Sequence, residues 1–441
     1  MKIVIINKSD ATGGAAIVSR RLMEALHEAG ADARMLVVEK LTDSPRVELA
    51  ASPKTAKKPF MAERLKIFLA NGLNRSTLFK IDTASDGLPL WRHPLVKEAD
   101  AVLLNWVNQG MLSLRGVERI LELGKPVIWT MHDMWCMTGV CHHAGDCRRY
   151  EQECGVCPLL GRMKGTNDIS RKVWRAKNRL GQLPRKIVYV AVSRWLAGKA
   201  AESSLLARQR VEVIPNAFSL PAPDGEGPHG DKSGEDRLQE AKSGKGRIRI
   251  LFGAARLDDP IKNLPALVEM TRVLASDYPA LAQRLELVTF GNVKNPESVE
   301  GIAIAHRHLG RVNGEEALRR VYEEGEILVS SSSYETLPGT LVEAQAYGCV
   351  PVSFDRGGQR DITDHLKTGY IADYSEDPAE AGCRLAEGVA WAVGVVDDEA
   401  AFSEMRRAMR RNVEERFSAA AVAKAYLKLI SEMRGDVKTH G

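Results

Sequence analysis

The chain has 441 residues, of which 44% are hydrophobic and 27% charged, and its formal net charge is +5. That length exceeds what one average core organises, so two domains of roughly 200 residues each are expected. The balance is that of a globular chain, and so mild a charge excludes one that is basic throughout for binding polyanions.

The first apolar run, Ile3–Ile6 in "KIVIIN", is too short for a signal-peptide core and reads as a buried strand. No apolar run approaches the length of a membrane span. These features place the chain in the cytoplasm, where close cysteine pairs bind metal more often than they form disulfides. After the first strand, "SDATGGAA" turns the chain at Gly13 and Gly14 into the helical "IVSRRLMEALHEAG". Glycines before a helix N-terminus let backbone approach an anionic group, although a plain tight turn reads equally well. "ARMLVVEK", "AVLLNW", "PVIWTMHD" and "IVYVAVS" follow as strands that are apolar throughout. Such strands alternating with amphipathic helices indicate a parallel sheet covered on both faces.

Between them lie three unusual stretches. "KTAKKPFMAERLKIFLA" (Lys54–Ala70) reads as a basic amphipathic helix. "CHHAGDCRRYEQECGVCP" holds four of the seven cysteines, Cys141, Cys147, Cys154 and Cys157, with His142 and His143 beside the first. Thiolates with a C-x-x-C pair on a glycine turn suit structural zinc, and reduced free thiols or a disulfide pair are the alternative. Gly161–Lys186 carries nine Lys or Arg against Asp168 alone, with Met163, Val173, Trp174 and Leu180 interspersed. It reads as a second basic surface helix, able to meet anionic headgroups.

From Leu220 to Arg247 Pro, Gly, Ser and charges replace apolar periodicity, which marks a linker. The strand rhythm resumes with "IRILFGAAR", "RLELVTFG", "EILVSSSS", "CVPVSFD" and "GYIADY". Glu399–Arg434 carries one apolar stripe from Phe402 to Ile430 and reads as helical. The fold class expected is α/β with two Rossmann-like domains, at 1–219 with a Cys-rich insert at 136–158, and at 248–410. The segment 220–247 joins them, and 411–441 forms a terminal helix.

Two stretches of the second half carry chemistry. In "GAARLDDPIKNLPALVEM" a strand leads to Arg256 and Lys262, two cations where parallel-sheet ligands bind, although Asp258 and Asp259 offer them surface ion pairs. In "SSSSYETLPGTLVEAQAYGCVPVSFDRGGQRDI" Pro338 and Gly339 open a helix that Gly348 closes. The N–H groups near Gly339, Thr340 and Leu341 then form an anion site. Glu335 before that helix and Glu343 inside it can accept hydrogen bonds from sugar hydroxyls.

The E-x7-E spacing of Glu335 and Glu343, followed by "EAQAYGCVPVSFDRGG", resembles the signature of retaining glycosyltransferases of family 4 with the GT-B fold. "GAARL…IKN" resembles that family's donor-phosphate motif, "VIPNAFS" its domain-junction segment and "TMHDMW" its His-Asp segment, in order along nearly the whole chain. Here Leu337-Pro338 replaces the common Phe-Gly and Ala255 the usual glycine, and neither change removes a charge. The resemblance implies two domains facing across a cleft and a C-terminal helix that returns to the N-terminal domain. It implies a UDP- or GDP-sugar donor and a saccharide or lipid-linked acceptor in polysaccharide or lipopolysaccharide biosynthesis. Arg256 and Lys262 would bind the donor diphosphate, Glu343 the ribose and Glu335 the sugar hydroxyls. His132 would meet the sugar near its anomeric carbon, and Gly13 and Gly14 would let their loop approach the phosphates. Asn216 would shape the hinge. No Asp-x-Asp pair occurs in the chain, so no catalytic metal is expected. A lipid-linked acceptor would bring the protein to the inner face of the cytoplasmic membrane, and no nucleic-acid partner is expected. A nucleotide-sugar 2-epimerase and a non-catalytic zinc-containing binding protein are the competing readings.

Overall fold

A computed structural model describes residues 1–183, 187–221 and 247–435. The segment expected as a linker, 220–247, therefore lies almost wholly outside the described residues. The chain forms two units, Met1–Ala217 with Ala419–Gly441, and Phe218–Ser418.

In the first unit the strands are β1 (Lys2–Ile6), β2 (Asp32–Val37), β3 (Val47–Leu49), β4 (Ala101–Leu104), β5 (Val127–Met131), β6 (Ile187–Ala191) and β7 (Val211–Val213). They pair in the order β3-β2-β1-β4-β5-β6-β7, parallel throughout. β1 lies between β2 and β4, with Ile3 opposite Ala33 on one side and Ala101 on the other. Helix Gly14–Glu28 buries Leu22, Met23 and Leu26 against this sheet. Helix Ala419–Arg434 joins the same core through Val422, Tyr426, Leu429 and Ile430. Tyr426 is 2% exposed, and its hydroxyl lies 2.9 Å from Thr130 Oγ1 of β5.

In the second unit β8 (Ile248–Arg256), β9 (Leu285–Asn292), β10 (Ala305–His308), β11 (Ile327–Ser330), β12 (Val350–Phe354) and β13 (Tyr370–Ala372) pair in the order β10-β9-β8-β11-β12-β13, again parallel. Ile250, Phe252, Leu287, Val329 and Val352 form the core with Leu267 of helix Leu264–Asp277 and Leu385 of helix Pro378–Asp397.

Three strands were not expected from the sequence: β3, β7 and β10 are short, sit at sheet edges and bury few of their residues. An edge strand covered on few sides needs no apolar run, so the signal is missing. The helical tail also differs from the single segment expected. It breaks at Ser418, which is extended (φ −61°, ψ 148°), into helices Glu399–Phe417 and Ala419–Arg434. Met405 and Met409 pack in the second core, so the chain re-enters the first unit at Ala419 and not at 411.

Tyr426→Phe, which removes one buried hydrogen bond, is expected to cost about 1 kcal/mol. Tyr426→Ala, which leaves a cavity, is expected to cost about 3–5 kcal/mol. Denaturant midpoints check both values, and an unchanged midpoint for the alanine variant contradicts the tail's place in the core.

Candidate functional site

In an open parallel sheet, ligands bind where the strand order reverses, beyond the carboxyl ends of the two strands that diverge there. In the second unit these strands are β8 and β11. The loop after β8 carries Lys262 and the loop after β11 carries Glu335, and their side chains form an ion pair, Lys262 Nζ to Glu335 Oε1. The two loops are laced together: Ser331 Oγ donates to Lys262 O (2.7 Å), and Ser333 N–H donates to Ile261 O (2.8 Å). Lys262 ends a short 3-10 turn that Asp259 caps by accepting from Ile261 N–H (3.1 Å).

Glu335 is also fixed from behind. Its carbonyl accepts the Gly358 N–H (2.9 Å), and a Cβ on Gly357 (φ +154°) would come within 1.9 Å of that oxygen. This glycine of the "DRGG" run is therefore required by close approach. Arg256, at the end of β8, meets Asp258 (3.3 Å) and Asp259 (3.2 Å), the surface pairing that the sequence left open. Pro338 caps helix Gly339–Tyr347, and Gly348 ends it in the left-handed region (φ 79°). Leu341 N–H already donates to Pro338 O (3.1 Å). The first-turn donors left ahead of it are therefore those of Gly339 and Thr340.

Glu343 lies one turn further in and is no first-turn acid. It accepts the hydroxyl of Tyr322 (2.9 Å), which stacks on Tyr347 with ring centroids 5.6 Å apart. Phe290 meets Tyr322 edge-on, and Gly253 makes room, since a Cβ there would fall 2.1 Å from the Phe290 ring. Tyr322, Phe290 and Gly253 are thus supports of the site that the sequence reading missed. Tyr322 lies on an ordinary amphipathic helix, Glu315–Glu323, and carried no distinguishing signal.

In the first unit the strand order reverses between β1 and β4. Gly13 caps the helix after β1 at φ 86°, so its backbone needs glycine, and a Cβ on Gly13 or Gly14 would meet nothing within 4 Å. His132 follows β5, and burial lowers its pKa to about 4, so the imidazole is neutral near pH 7. Next to it is a network that the sequence did not reveal. His142 lies 2.7 Å from Asp133 through Nδ1 and 2.6 Å from Asp82 through Nε2. Burial alone would lower the His142 pKa, but the charge and hydrogen bond of Asp133, with those of Asp82, raise it to about 10. Burial likewise opposes ionisation of Asp133, yet His142 holds that carboxyl at about 2. The protonated imidazole therefore donates to both carboxylates. Trp106 Nε1–H donates to Asp133 (3.2 Å), and Arg64 pairs with Asp82.

This arrangement removes His142 from the set of spare metal ligands. All seven cysteines are free thiols, and among the described residues no group of three or more His, Cys, Asp or Glu is placed to hold a metal ion. Burial raises Cys141, Cys154 and Cys157 to about 11, and each also feels neighbouring cysteine sulfurs. The four thiols lie near one another and form no closed ligand set among the described residues. Cys157 packs with Ile67, Ile81, Val140, Leu160 and Val173, as a small apolar side chain does. Beneath the loop, Lys177 donates to Trp135 O (2.5 Å) and Thr138 O (3.0 Å), and burial lowers it to about 8.

Residues 236–415, which include Arg256, Lys262, Glu335 and Glu343, match the family model described as "Glycosyl transferases group 1". The putative colanic acid biosynthesis glycosyl transferase WcaC of Escherichia coli (strain K12) is 24% identical over 296 residues, 65% of this chain and 67% of that protein. Three solved structures are similar over nearly the whole chain. Sucrose-phosphate synthase from Thermosynechococcus elongatus has a TM-score of 0.61 at 16% identity, covering 99% of both chains. WaaG, a glycosyltransferase involved in lipopolysaccharide biosynthesis, has 0.58 at 13%, covering 100% of both. Anabaena HepE in complex with UDP and glucose has 0.56 at 15%, covering 98% of this chain and 100% of that one. These likenesses show the fold: two parallel-sheet, Rossmann-like units of the GT-B kind.

His142→Gln leaves Asp82 and Asp133 without their shared cation and is expected to cost about 3 kcal/mol. Because the folded pKa is raised, that stabilisation is complete below about 6.5 and declines as pH rises through about 10. Melting curves of native and variant protein across this window should converge on the alkaline side. Their difference isolates His142 from Lys177, whose lowered pKa acts in the opposite sense. A gap that stays constant over the window contradicts the bridging role.

Proposed function

We propose that this chain is a retaining glycosyltransferase. In this reading it moves a sugar from a nucleoside diphosphate to a hydroxyl of a saccharide or lipid-linked saccharide during assembly of a cell-surface polysaccharide. The observation that carries the reading is the Lys262–Glu335 pair, laced between the loops at the reversal of the second sheet. A diphosphate arriving there takes Lys262 from Glu335, and the released carboxylate accepts hydrogen bonds from sugar hydroxyls. Arg256 exchanges Asp258 and Asp259 for the same anion. The N–H groups of Gly339 and Thr340 face the phosphates, and Glu343, oriented by Tyr322, takes the ribose.

The glycosidic C–O bond to the β-phosphate breaks with its electron pair on the departing diphosphate. The acceptor oxygen attacks from the same face, and its proton passes to the leaving phosphate, so the anomeric configuration is retained. The cations and the helix N-terminus stabilise the departing charge, and we assign the reaction no catalytic metal. Neutral His132 is proposed as a hydrogen-bond partner of the donor sugar, and Gly13 and Gly14 as the open loop that admits phosphate. The UDP and glucose held by HepE make UDP-sugars the first donors to try, with GDP-sugars next. The names of WcaC and WaaG support an exopolysaccharide or lipopolysaccharide acceptor.

The test is nucleoside diphosphate release from a panel of UDP- and GDP-sugars with a lipid-linked acceptor extract. One donor should be turned over, with the same rate in EDTA. Lys262→Ala and Glu343→Ala should each lose on the order of a hundredfold in kcat/KM. Tyr322→Phe should raise donor KM several-fold with kcat little changed. NMR of the product should show the donor's anomeric configuration. Release from no donor, or release indifferent to both alanine variants, would sink the proposal.

A further inference from the structure

Helix Pro53–Ala70 buries two charged residues and exposes an apolar row. Its buried residues are Glu63, Arg64 and Ile67. Glu63 accepts Thr83 N–H (2.9 Å), Thr83 Oγ1–H (3.0 Å) and Ala84 N–H (2.6 Å). Arg64 donates to Leu78 O (2.6 Å) and Ile81 O (3.3 Å) and pairs with Asp82. Three outward positions of the helix are apolar: Met61, Leu65 and Leu69 are 51%, 58% and 58% exposed. A spacing of four sets them in one row along the helix. Leu73 continues it past the helix end, and exposed Met163 adjoins it, since a Cβ on Gly72 would fall 2.9 Å from Met163 Cγ.

The helix cannot roll to hide this row. Rolling would strip Glu63 and Arg64 of their partners inside the protein, which is costly for buried charges. Gly110 also locks it, because a Cβ there would strike the Phe60 backbone nitrogen at 2.3 Å. The row is bordered by cations. Lys54, Lys57 and Lys58 are exposed, as are Arg75 and Lys80 just beyond, while Lys66 pairs with Asp86 and the one acid of the helix, Glu63, points inward. An exposed apolar row rimmed by positive charge matches an anionic lipid surface, with headgroups meeting the lysines and acyl chains the leucines. A second copy would bring like charges together.

We infer that helix Pro53–Ala70 docks on an anionic lipid bilayer through Met61, Leu65, Leu69 and Leu73, with Lys54, Lys57 and Lys58 facing the headgroups. The other basic helix, Ile169–Gly181, has its apolar residues and two of its cations engaged within the protein. It buries Val173 and Leu180, engages Arg171 and Arg175 with Glu153, and bonds Trp174 Nε1 to Ser204.

The test is co-sedimentation of the full chain with vesicles of phosphatidylcholine alone or mixed with phosphatidylglycerol, without nucleotide-sugar. A failure here is thereby separate from a failure of the transfer reaction. Binding is expected on the anionic vesicles only and should weaken with salt. Replacing Lys54, Lys57 and Lys58 together by Gln should weaken it on the order of a hundredfold. Leu65→Ser with Leu69→Ser should weaken it by at least roughly tenfold. Neither change touches a buried contact, so circular dichroism and melting should stay native. Absence of binding, equal binding to neutral vesicles, or binding indifferent to the double serine variant would overturn the inference. So would a dimer of the native chain that the serine variant dissociates, since the row would then cover a second copy.

Discussion

Parallel strands cannot be joined by tight turns, so each must be followed by a crossover that leaves from its carboxyl end. This constraint governs both units. Because β8 and β11 are neighbours whose crossovers diverge, the loops after them open side by side, one bearing Lys262 and the other Glu335. Residues 73 positions apart are thereby brought into one ion pair by the sheet order. The reversal between β1 and β4 does the same for the Gly13 loop and the segment around Trp106, where Lys8 N–H donates to Trp106 O (2.9 Å).

Charge is handled differently at the two reversals. Lys262 and Glu335 are 29% and 20% exposed, so water offsets much of the cost of parting them and a ligand anion can exchange for the carboxylate. Asp82 is fully buried and His142 is 12% exposed, so little water is at hand to replace either partner and parting them is costly. The first pair suits a site that binds and releases. The second suits a brace that holds the loop after β5, and with it His132, in one conformation.

The same reasoning explains helix Pro53–Ala70. Glu63 and Arg64 are tolerable inside because backbone N–H and C=O groups of 78–84 and the Asp82 carboxylate partner Glu63 Oε1 and both terminal nitrogens of Arg64. Once those positions are buried, the helical period forces Met61, Leu65 and Leu69 outward. Apolar exposure here follows from a polar interior and not from a weakly packed helix.

The strands apolar throughout, the glycines and Pro338 that bound the site helices, and the spacing of Glu335 and Glu343 were legible in the sequence. Burial on both faces, special backbone angles and short chain distance each leave a local mark. What marked nothing locally was decided by tertiary structure. Tyr322 reaches Glu343 only because two helices pack, and His142 finds Asp82 across 60 residues and so ceases to be a ligand in a cysteine cluster. Of two basic amphipathic segments, helix Ile169–Gly181 turns Val173 and Leu180 inward, whereas helix Pro53–Ala70 turns Met61, Leu65 and Leu69 outward. Periodicity states that a helix has two faces, and only the partners supplied by the rest of the chain decide which of them meets water.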